Sequence, residues 1–247
     1  MNQTNTSRVA LVTGASRGIG AAIAQRLSAD GFAVVVNYAS SAKEADALVA
    51  QLKANGSAAI AVKADVASAD EVRAMFDAAE AQLGRVDVLV NNAGVMKTIP
   101  IVDATDAHYD QHFDINVRGT FNTLREAAKR LNDGGRIVNF SSTTVAMNLP
   151  GYGLYIATKS AVESFTRVFS KELRGRNITV NAVAPGPVAT SLFLDGKTDE
   201  QIQTFAKMPP LERLGQPDDI AAVVSFLAGP DSGWVNGQVL RANGGLA

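Results

Sequence analysis

The chain has 247 residues, of which 47% are hydrophobic, and its formal net charge is −1. A chain of this length and composition is expected to fold as one large α/β domain with a sizeable core. It contains no cysteine, which excludes disulfides, thiolate metal sites and catalysis by a cysteine nucleophile. Lysines and arginines are spread along the chain without a basic stripe, so the sequence predicts no nucleic-acid partner.

The first seven residues are polar and lack the apolar core of a signal peptide. No apolar run approaches the ~18 residues that indicate a membrane-spanning helix. We therefore expect a cytoplasmic protein that has no membrane partner.

Apolar runs of strand length alternate with longer stretches of helical periodicity. Strands are predicted at residues 8–13, 33–38, 58–62, 86–90, 135–140, 178–183 and 238–241. Helices are predicted at about 21–27, 41–54, 68–83, 105–131 and 153–174. Such alternation is typical of βαβ units, and continuously apolar strands are typical of a parallel sheet covered on both faces. The sequence therefore predicts a doubly wound α/β Rossmann sheet of about seven strands, in a single domain over residues 1–247.

A glycine-rich loop joins the first predicted strand to the first predicted helix. Gly14, Gly18 and Gly20 are suited to a tight turn, a close backbone approach to pyrophosphate, and tight packing of helix on strand. The helix N-terminus offers free N–H groups to phosphate. The spacing is Gly-x3-Gly-x-Gly and differs from the common fingerprint, so an ordinary glycine-rich turn is the alternative. The loop residues assigned to a dinucleotide are Gly14, Ser16, Arg17, Gly18, Ile19 and Gly20.

Tyr155 and Lys159 are four residues apart in a predicted helix, so their side chains share one face. Reducing a ketone needs hydride at carbon, which a nicotinamide supplies, and a proton at oxygen, which a side-chain acid supplies. Tyrosine ordinarily has a pKa of ~10, and a nearby ammonium together with an oxidised nicotinamide ring is expected to lower that pKa. Ser142 stands at the carboxyl end of the fifth predicted strand, where its hydroxyl is suited to hold a carbonyl oxygen.

Two neighbouring residues compete for these assignments. Ser141 precedes Ser142, but alternation along a strand is expected to turn it to the opposite face. Tyr152 precedes Tyr155, but the residue four positions after it is Ile156, which carries no charge. We therefore assign the serine role to Ser142 and the acid role to Tyr155.

The sequence resembles the short-chain dehydrogenases/reductases over essentially its whole length, and it is most similar to ketoreductases and 3-oxoacyl carrier-protein reductases. The resemblance implies an NAD(P)-dependent oxidoreductase acting on CH–OH groups, which reduces the carbonyl of a small molecule to a secondary alcohol or catalyses the reverse. The catalytic residues that it implies are Asn116, Ser142, Tyr155 and Lys159. The segments that match the family are Thr13–Gly20, Asp65-Val66, Asn91-Asn92-Ala93-Gly94, Asn116, Ser142, Tyr155 with Lys159, and Pro185-Gly186.

The resemblance also implies roles that the residues alone do not. The carbonyl of Asn116 would anchor a water that links Lys159 to solvent, and a helix kink is expected there because helix interiors disfavour asparagine. Asp65 and the Val66 backbone would recognise adenine, although a helix-capping aspartate is the competing interpretation. The other cofactor contacts that it implies are Asn92, Ala93, Gly94, Tyr155, Lys159, Pro185, Gly186, Val188 and Thr190.

NADP(H) is the expected cofactor, with NAD(H) as the second candidate. In NAD-binding relatives the second strand ends in an acidic residue that would repel a 2′-phosphate, whereas here it ends Asn37-Tyr38-Ala39-Ser40. Asn37, Tyr38, Ala39 and Ser40 are assigned to the cofactor. Arg17 and Ser40 are expected to contact that phosphate, although a solvated loop arginine is the alternative for Arg17. Replacing Asn37 by Asp is expected to shift the preference toward NAD.

Residues 186–211 are less regular than the rest of the chain and are predicted to form a lid over the active site. The stretch Leu192-Phe193-Leu194 is apolar, which favours an apolar substrate over a sugar. His108 and His112 are four residues apart among aspartates, but a solvated polar helix face is favoured there over a metal site, so no metal is expected.

Three further expectations concern function and assembly. A nucleotide-sensing or regulatory binding protein is the alternative to an enzyme, although it would be expected to lack the catalytic tyrosine or lysine. A 3-oxoacyl-thioester reductase is the alternative within the family, with Arg176 as a docking residue for an acidic carrier protein; Asn132-Asp133-Gly134 departs from the basic segment of that group. The resemblance implies a homotetramer in which Val162, Phe165 and Phe169 are either contacts or core residues.

Overall fold

A single sheet of seven parallel strands runs through the computed structural model, which describes residues 7–247. Its strands are β1 (Val9–Val12), β2 (Ala33–Tyr38), β3 (Ala59–Lys63), β4 (Val86–Asn91), β5 (Arg136–Phe140), β6 (Thr179–Pro185) and β7 (Val239–Ala242). They lie side by side in the order β3-β2-β1-β4-β5-β6-β7. The predicted doubly wound parallel sheet is confirmed.

Helices cover both faces of this sheet. They are α1 (Gly18–Ala29), α2 (Ala42–Ala54), α3 (Ala69–Gln82), α4 (Asp106–Phe113), α5 (Gly119–Arg130), α6 (Thr144–Met147), α7 (Gly153–Glu172), α8 (Ser191–Leu194), α9 (Asp199–Lys207) and α10 (Pro217–Ala228). A π-helical turn at Asp114–Arg118 joins α4 to α5.

Strand β1 illustrates how the core divides into two layers. Ala10 and Val12 pack with buried side chains of α1, α2 and α10 on one face of the sheet. Val9 and Leu11 pack with buried side chains of α3 and α5 on the other. Burial of each large apolar side chain contributes about 1.5–3 kcal/mol, so both faces of the central strands stabilise the sheet.

The chain order creates a crevice at the carboxyl ends of β1 and β4. From β1 the chain adds β2 and β3 on one side, then returns to add β4 on the other side of β1. Loops that leave β1 and β4 therefore diverge, and such a switch point is where open α/β sheets bind ligands. The glycine loop follows β1, and the Asn92–Gly94 segment follows β4.

Two regions differ from the sequence prediction. The predicted continuous helix at 105–131 is divided by the π turn, and Asn116 lies inside that turn, where a kink was expected. Helix α10 was not predicted because its apolar residues form a nearly continuous run without clear helical periodicity. Within the predicted lid, α8 and α9 are helical and irregular segments flank them. None of the described helices is both long and apolar enough for a bilayer crossing.

Candidate active site

The glycine loop has the close contacts that its sequence predicts. Gly14 and Gly18 adopt left-handed φ angles of 61° and 56°, which glycine tolerates without strain. A β-carbon at Gly20 would lie only 2.6 Å from Asn92 Nδ2 and would also overlap the Gly14 carbonyl oxygen. A side chain at position 20 would therefore force the loop away from the end of β4.

Two asparagine side chains hold the loop in place. Asn92 Nδ2 donates to the carbonyl oxygens of Thr13 (2.9 Å) and Gly14 (3.0 Å). Asn37 Oδ1 accepts from the Gly14 N–H (3.2 Å), and its Nδ2 donates to the Ala64 carbonyl oxygen (3.0 Å). The Asn37 amide is thus buried and bonded on both sides, so Asn37→Asp would lose a buried donor and is now expected to destabilise the loop.

A groove runs from the glycine loop over the ends of β1, β2 and β4. Tyr38 is the one predicted cofactor residue of the β2 end that lies outside it, because this last strand residue packs against the apolar core. Ser41, Ala64, Ile115 and Ser191 line the groove but were not predicted. The predicted residues that line it are Gly14, Ser16, Arg17, Gly18, Ile19, Gly20, Asn37, Ala39, Ser40, Asp65, Val66, Asn92, Ala93, Gly94 and Thr190.

Positive charge at the groove comes from Arg17. This side chain is exposed, and it forms no ion pair with any residue between 7 and 247. Ser40 and Ser41 lie at the N-terminus of α2, where no side chain caps the first turn. Free N–H groups, hydroxyls and a guanidinium therefore face the same end of the groove.

Asp65 lies in the turn before α3 but does not cap that helix. Its Oδ1 accepts from the Ala67 N–H at 2.9 Å, which shapes the turn before α3. The N-cap of α3 is nevertheless Ser68, whose side chain accepts from the Glu71 N–H. Asp65 also lines the groove, so the turn contact leaves it beside the space where an adenine would lie.

A second cavity adjoins the groove and contains the predicted catalytic side chains. Ser142, Tyr155 and Lys159 line it together, as do Pro185, Gly186 and Val188 after β6. The cavity measures about 940 Å³ including its open mouth. It shares with the groove Ile19, Asn92, Gly94, Val95, Thr190 and Leu192.

Ser142 has its hydroxyl proton free for a partner in the cavity. Its Oγ accepts from Thr144 Oγ1 (2.9 Å) and from the Thr144 N–H (3.3 Å). Since both contacts place donors on Ser142 Oγ, its own O–H points elsewhere. It is close enough to Tyr155 to act against the rise of the tyrosine pKa.

Burial dominates the protonation of the tyrosine and the lysine. It raises the pKa of Tyr155 to about 12, with the Ser142 hydrogen bond opposing it and the nearby Tyr152 adding to it. Burial also lowers the pKa of Lys159 to about 8. The lowering of the tyrosine pKa that is expected from the ammonium together with an oxidised nicotinamide stays a prediction; in the chain alone, Lys159 Nζ donates to the Phe140 carbonyl oxygen (2.8 Å) and lies 5.6 Å from the Tyr155 ring centroid.

Asn116 is fixed by the π turn beside the lysine. Its Oδ1 accepts from the Val95 N–H (2.8 Å), and its Nδ2 donates to the Val95 carbonyl oxygen (2.9 Å). Its own main-chain carbonyl accepts from Thr120 Oγ1 (2.9 Å). A β-carbon at Gly94 would lie 3.1 Å from Asn116 Oδ1 and 3.5 Å from Lys159 Nζ, so asparagine and lysine face the same small space.

The two competing residues, Ser141 and Tyr152, line the same cavity but make different contacts. The Ser141 hydroxyl donates to Glu163 Oε1 (2.7 Å), so it is engaged by a side chain of α7. Tyr152 lines the same cavity as Tyr155 and is buried. The residue four positions after Tyr152 is Ile156, as the sequence predicts, whereas Tyr155 has Lys159 over its ring.

The rest of the catalytic cavity is apolar. Phe193 of α8 and Phe205 of α9 form an edge-to-face pair with ring centroids 5.2 Å apart. Lys197 Nζ lies 4.5 Å over the Phe193 ring and donates to the Phe193 carbonyl oxygen. Among the described residues, Lys159 is the only charged side chain of the lining. Lining residues that sequence reasoning missed include Met96, Met147, Leu149, Phe205 and Leu246; most lie on loops or short helices, where no periodicity identifies them.

The structure bears on three further expectations, which concern the surroundings of His112, a metal site and Arg176. His112 is fully buried, so the expected solvated helix face is wrong for this residue. No group of three candidate metal ligands occurs between residues 7 and 247. Arg176, the candidate docking residue, bonds Asp133 Oδ1 (2.7 Å) and the Ala128 carbonyl oxygen (2.6 Å), so its guanidinium is engaged at the amino-terminal edge of the sheet.

Exposed apolar side chains that bear on the expected assembly lie on α4, α5 and α7. Val162 is buried, and Phe165 and Phe169 pack largely against the core, as their alternative interpretation predicts. Tyr109, Phe121 and Val168 on α4, α5 and α7 are exposed instead. A surface groove between α4, α5 and α7 is lined by Tyr109, Phe113, Val117, Phe121 and Phe165, among others.

The chain matches known proteins over nearly all of its length. A family profile described as enoyl-(acyl carrier protein) reductase matches residues 14–247. A short-chain type dehydrogenase/reductase of Picea abies is 46% identical over 96% of this chain and 92% of its own. An NADPH-dependent aldehyde reductase-like protein, chloroplastic, of Arabidopsis thaliana is 42% identical over 96% of this chain and 93% of its own.

Solved structures match equally well. The blue fluorescent protein from a metagenomic library, in complex with NADPH, superimposes with a TM-score of 0.93 at 41% identity, and the match covers 99% of this chain and 100% of that one. With this extent of agreement in sequence and fold, the chain belongs to the short-chain dehydrogenase/reductase family of oxidoreductases.

Proposed function

We propose that the protein is an NADP(H)-dependent reductase of apolar ketones in which Tyr155 donates the proton. The observation that carries the proposal is the junction of the two cavities. A groove suited to a dinucleotide opens directly into a cavity lined by Ser142, Tyr155 and Lys159. Neither cavity by itself would support both hydride and proton transfer.

The groove fits a nicotinamide dinucleotide on its own geometry. The absence of a β-carbon at Gly14 and Gly20 lets the loop pack against the end of β4, and α1 begins at Gly18, so the free N–H groups at the N-terminus of this helix lie beside the groove. Such N–H groups and the helix dipole favour a pyrophosphate. When bound, the cofactor supplies hydride to the carbonyl carbon.

Arg17, Ser40 and Ser41 support a preference for the 2′-phosphorylated cofactor. All three line one end of the groove, and the N-terminus of α2 adds its free N–H groups. Charge-assisted contacts to a phosphate are stronger than neutral ones. The NADPH-dependent relative from Arabidopsis and the NADPH complex of the metagenomic protein are consistent with this preference.

Proton transfer in this proposal starts at the Tyr155 hydroxyl. A phenol with a pKa of about 12 stays protonated at neutral pH, so it is a donor when a ketone enters. The free O–H of Ser142 holds the same carbonyl oxygen and stabilises the charge that develops on it. Lys159 and Asn116 then face the small space behind the tyrosine, through which the phenol is reprotonated.

The lining of the catalytic cavity supports an apolar, uncharged substrate. Methionine, leucine and phenylalanine side chains surround the space beside Tyr155, and a carboxylate there would find no cationic partner except Lys159. An aromatic substrate gains edge and face contacts from the Phe193–Phe205 pair. A carrier-bound thioester is less well supported, because Arg176 is engaged by Asp133.

The test is a panel assay that follows NADPH oxidation by absorbance. Bicyclic 2-tetralone, acetophenone, oxaloacetate and acetoacetyl-coenzyme A form a matched set of apolar, acidic and thioester carbonyls. We expect kcat/KM to be highest for the apolar ketones. Preferred turnover of acetoacetyl-coenzyme A would support the thioester reductase instead. Tight NADPH binding without turnover of any member would support a nucleotide sensor.

We also propose that the protein assembles as a homotetramer. The exposed Tyr109, Phe121 and Val168 and the fully exposed Trp234 support this proposal, because such side chains favour contact with another copy. A tetramer of the 25.8 kDa chain has a mass of about 103 kDa, and light scattering would detect it. A monomer mass at micromolar concentration would contradict it. The expected cytoplasmic location stays a prediction that cell fractionation would test.

A further inference from the structure

A short segment after β4 forms one wall of the catalytic cavity and is held by bonds at three successive points. Both backbone groups of Val95 bond the Asn116 side chain. The Lys97 N–H donates to His112 Nε2 at 3.1 Å. The Ile99 N–H donates to the Gly151 carbonyl oxygen at 2.7 Å. Met96, which lines the cavity, lies between the first two of these bonds.

The histidine in this arrangement has a single compatible protonation pattern. A backbone N–H can only donate, so His112 Nε2 must be the acceptor and must carry no proton. The proton of the neutral ring therefore lies on Nδ1, which donates to the His108 carbonyl oxygen at 2.7 Å. The ring is fully buried, and both of its nitrogens are engaged.

His112 and Asn116 act on the segment from the same helical face. They are four residues apart, at the end of α4 and within the π turn. Asn116 holds the segment where it leaves β4, and His112 holds it one residue beyond Met96. Without the histidine bond, the backbone between Val95 and Ile99, which includes Met96, would have none of these three anchoring bonds.

We propose that His112 is a positioning residue for the ketone site, and that it acts by holding the Val95–Lys97 wall through an acceptor at Nε2. It lines neither the cofactor groove nor the catalytic cavity that contains Tyr155, Ser142 and Lys159. Its loss therefore weakens binding of the ketone and leaves binding of the cofactor unchanged. The kinetic part of this inference rests on the proposed ketone reduction, whereas the structural part does not.

Matched substitutions separate the acceptor from the bulk of the ring. In His112→Gln an amide oxygen reaches about as far as Nε2, whereas in His112→Asn it reaches only about as far as Nδ1. His112→Leu removes the acceptor but keeps an apolar filling. We expect Asn and Leu to raise KM for 2-tetralone about fivefold to tenfold with kcat changed less than about twofold, as loss of one partly buried hydrogen bond implies. Gln should stay within about twofold of wild type.

Two further measurements complete the test. Calorimetric titration with NADPH should give an unchanged Kd in every variant, and Gln111→Ala, at an exposed position of α4 beside His112, should leave KM unchanged. Hydrogen exchange of peptides covering residues 95–97 should accelerate in the Asn and Leu variants and not in the Gln variant. This readout needs no turnover, so it tests the wall even if the proposed function fails.

Several outcomes would overturn the inference. A Gln variant as impaired as the Asn variant would show that the acceptor is not what matters. Wild-type exchange of the 95–97 amides in the Asn variant would show that the wall does not depend on His112. A Leu variant that fails to fold leaves the Gln and Asn pair to decide, since both keep a polar side chain at this position.

Discussion

The dinucleotide groove and the catalytic cavity share several lining residues, yet different kinds of chemical groups form the rest of their walls. The groove is shaped by backbone, by glycines and by small polar side chains at the ends of strands. The far wall of the cavity is shaped by large apolar side chains on loops and on the short helices α6, α8 and α9. We infer that substitutions in the groove would disturb the backbone that shapes it. The shape of the cavity, in contrast, can be changed by substituting apolar side chains on loops and short helices while the sheet stays intact.

The first way to sharpen this comparison is to remove the proton donor where the two spaces join. Tyr155→Phe keeps the ring and loses only the hydroxyl, so kcat/KM should fall by about 10²–10⁴ while the Kd for NADPH is unchanged. Tyr152→Phe, in the same cavity, is the matched control and should lose less than about tenfold. The acid would have to be reassigned if Tyr152→Phe proved the more damaging change.

A second test acts on the groove alone. Arg17→Ala should reduce the ratio of kcat/KM for NADPH to that for NADH by about one to two orders of magnitude, because a charge-assisted contact is worth about 1.5–3 kcal/mol. The KM for the ketone should stay constant, since Arg17 does not line the catalytic cavity. An unchanged cofactor ratio, or a wild type that prefers NADH, would refute the assignment of Arg17.

A third test acts on the cavity alone. Phe193→Ala removes one ring of the edge-to-face pair, so KM for 2-tetralone should rise about tenfold while the Kd for NADPH is retained. Leu211→Ala is the control, because Leu211 is exposed and lies outside the catalytic cavity. Equal effects of the two substitutions would mean that the aromatic pair does not contact the ketone.

The smallest expected effect is a pH dependence that originates in the catalytic cavity, at Lys159. Burial lowers the pKa of Lys159 to about 8, so kcat/KM should fall as pH rises through about 8 and the ammonium is lost. Stability should change in the other direction: between about pH 8 and 10.4 the unfolded chain binds more protons at this lysine, so its contribution to stability rises with pH. A thermal denaturation series measured beside the rate profile separates the two. A rate that stays constant up to pH 10 would contradict the proposed role of the ammonium.

The sequence predicted the groove better than the cavity for a physical reason. Glycines at 14, 18 and 20 and the Tyr155–Lys159 pair depend on short-range spacing, which a sequence displays directly. Strand alternation did not separate the two serines, because both line the cavity; what distinguishes them is that the Ser141 hydroxyl is bonded to Glu163. The strand and helix pattern was sufficient to predict all seven strands and the parallel sheet, but it missed α10.

What the sequence did not predict depends on contacts between distant segments. The burial of His112 follows from its contact with Lys97, fifteen residues before it, and no local pattern indicates that contact. Asn37 was expected to be a cofactor residue, but its amide is engaged by Gly14 and Ala64, which only the folded sheet brings together. Phe205 lines the cavity because α9 folds back onto α8, and a propensity argument cannot supply that arrangement.

The π turn at Asp114–Arg118 makes the residue count of this segment as consequential as its composition. A π turn holds one residue more than the α-helical turn that it replaces. Deleting one residue there would restore a regular helix and rotate α4 by about 100° relative to α5. Asn116 and His112 would then no longer face Val95 and Lys97 together. Homologues and engineered variants should therefore tolerate length changes in the exposed loop after α8 far better than a single deletion in this turn.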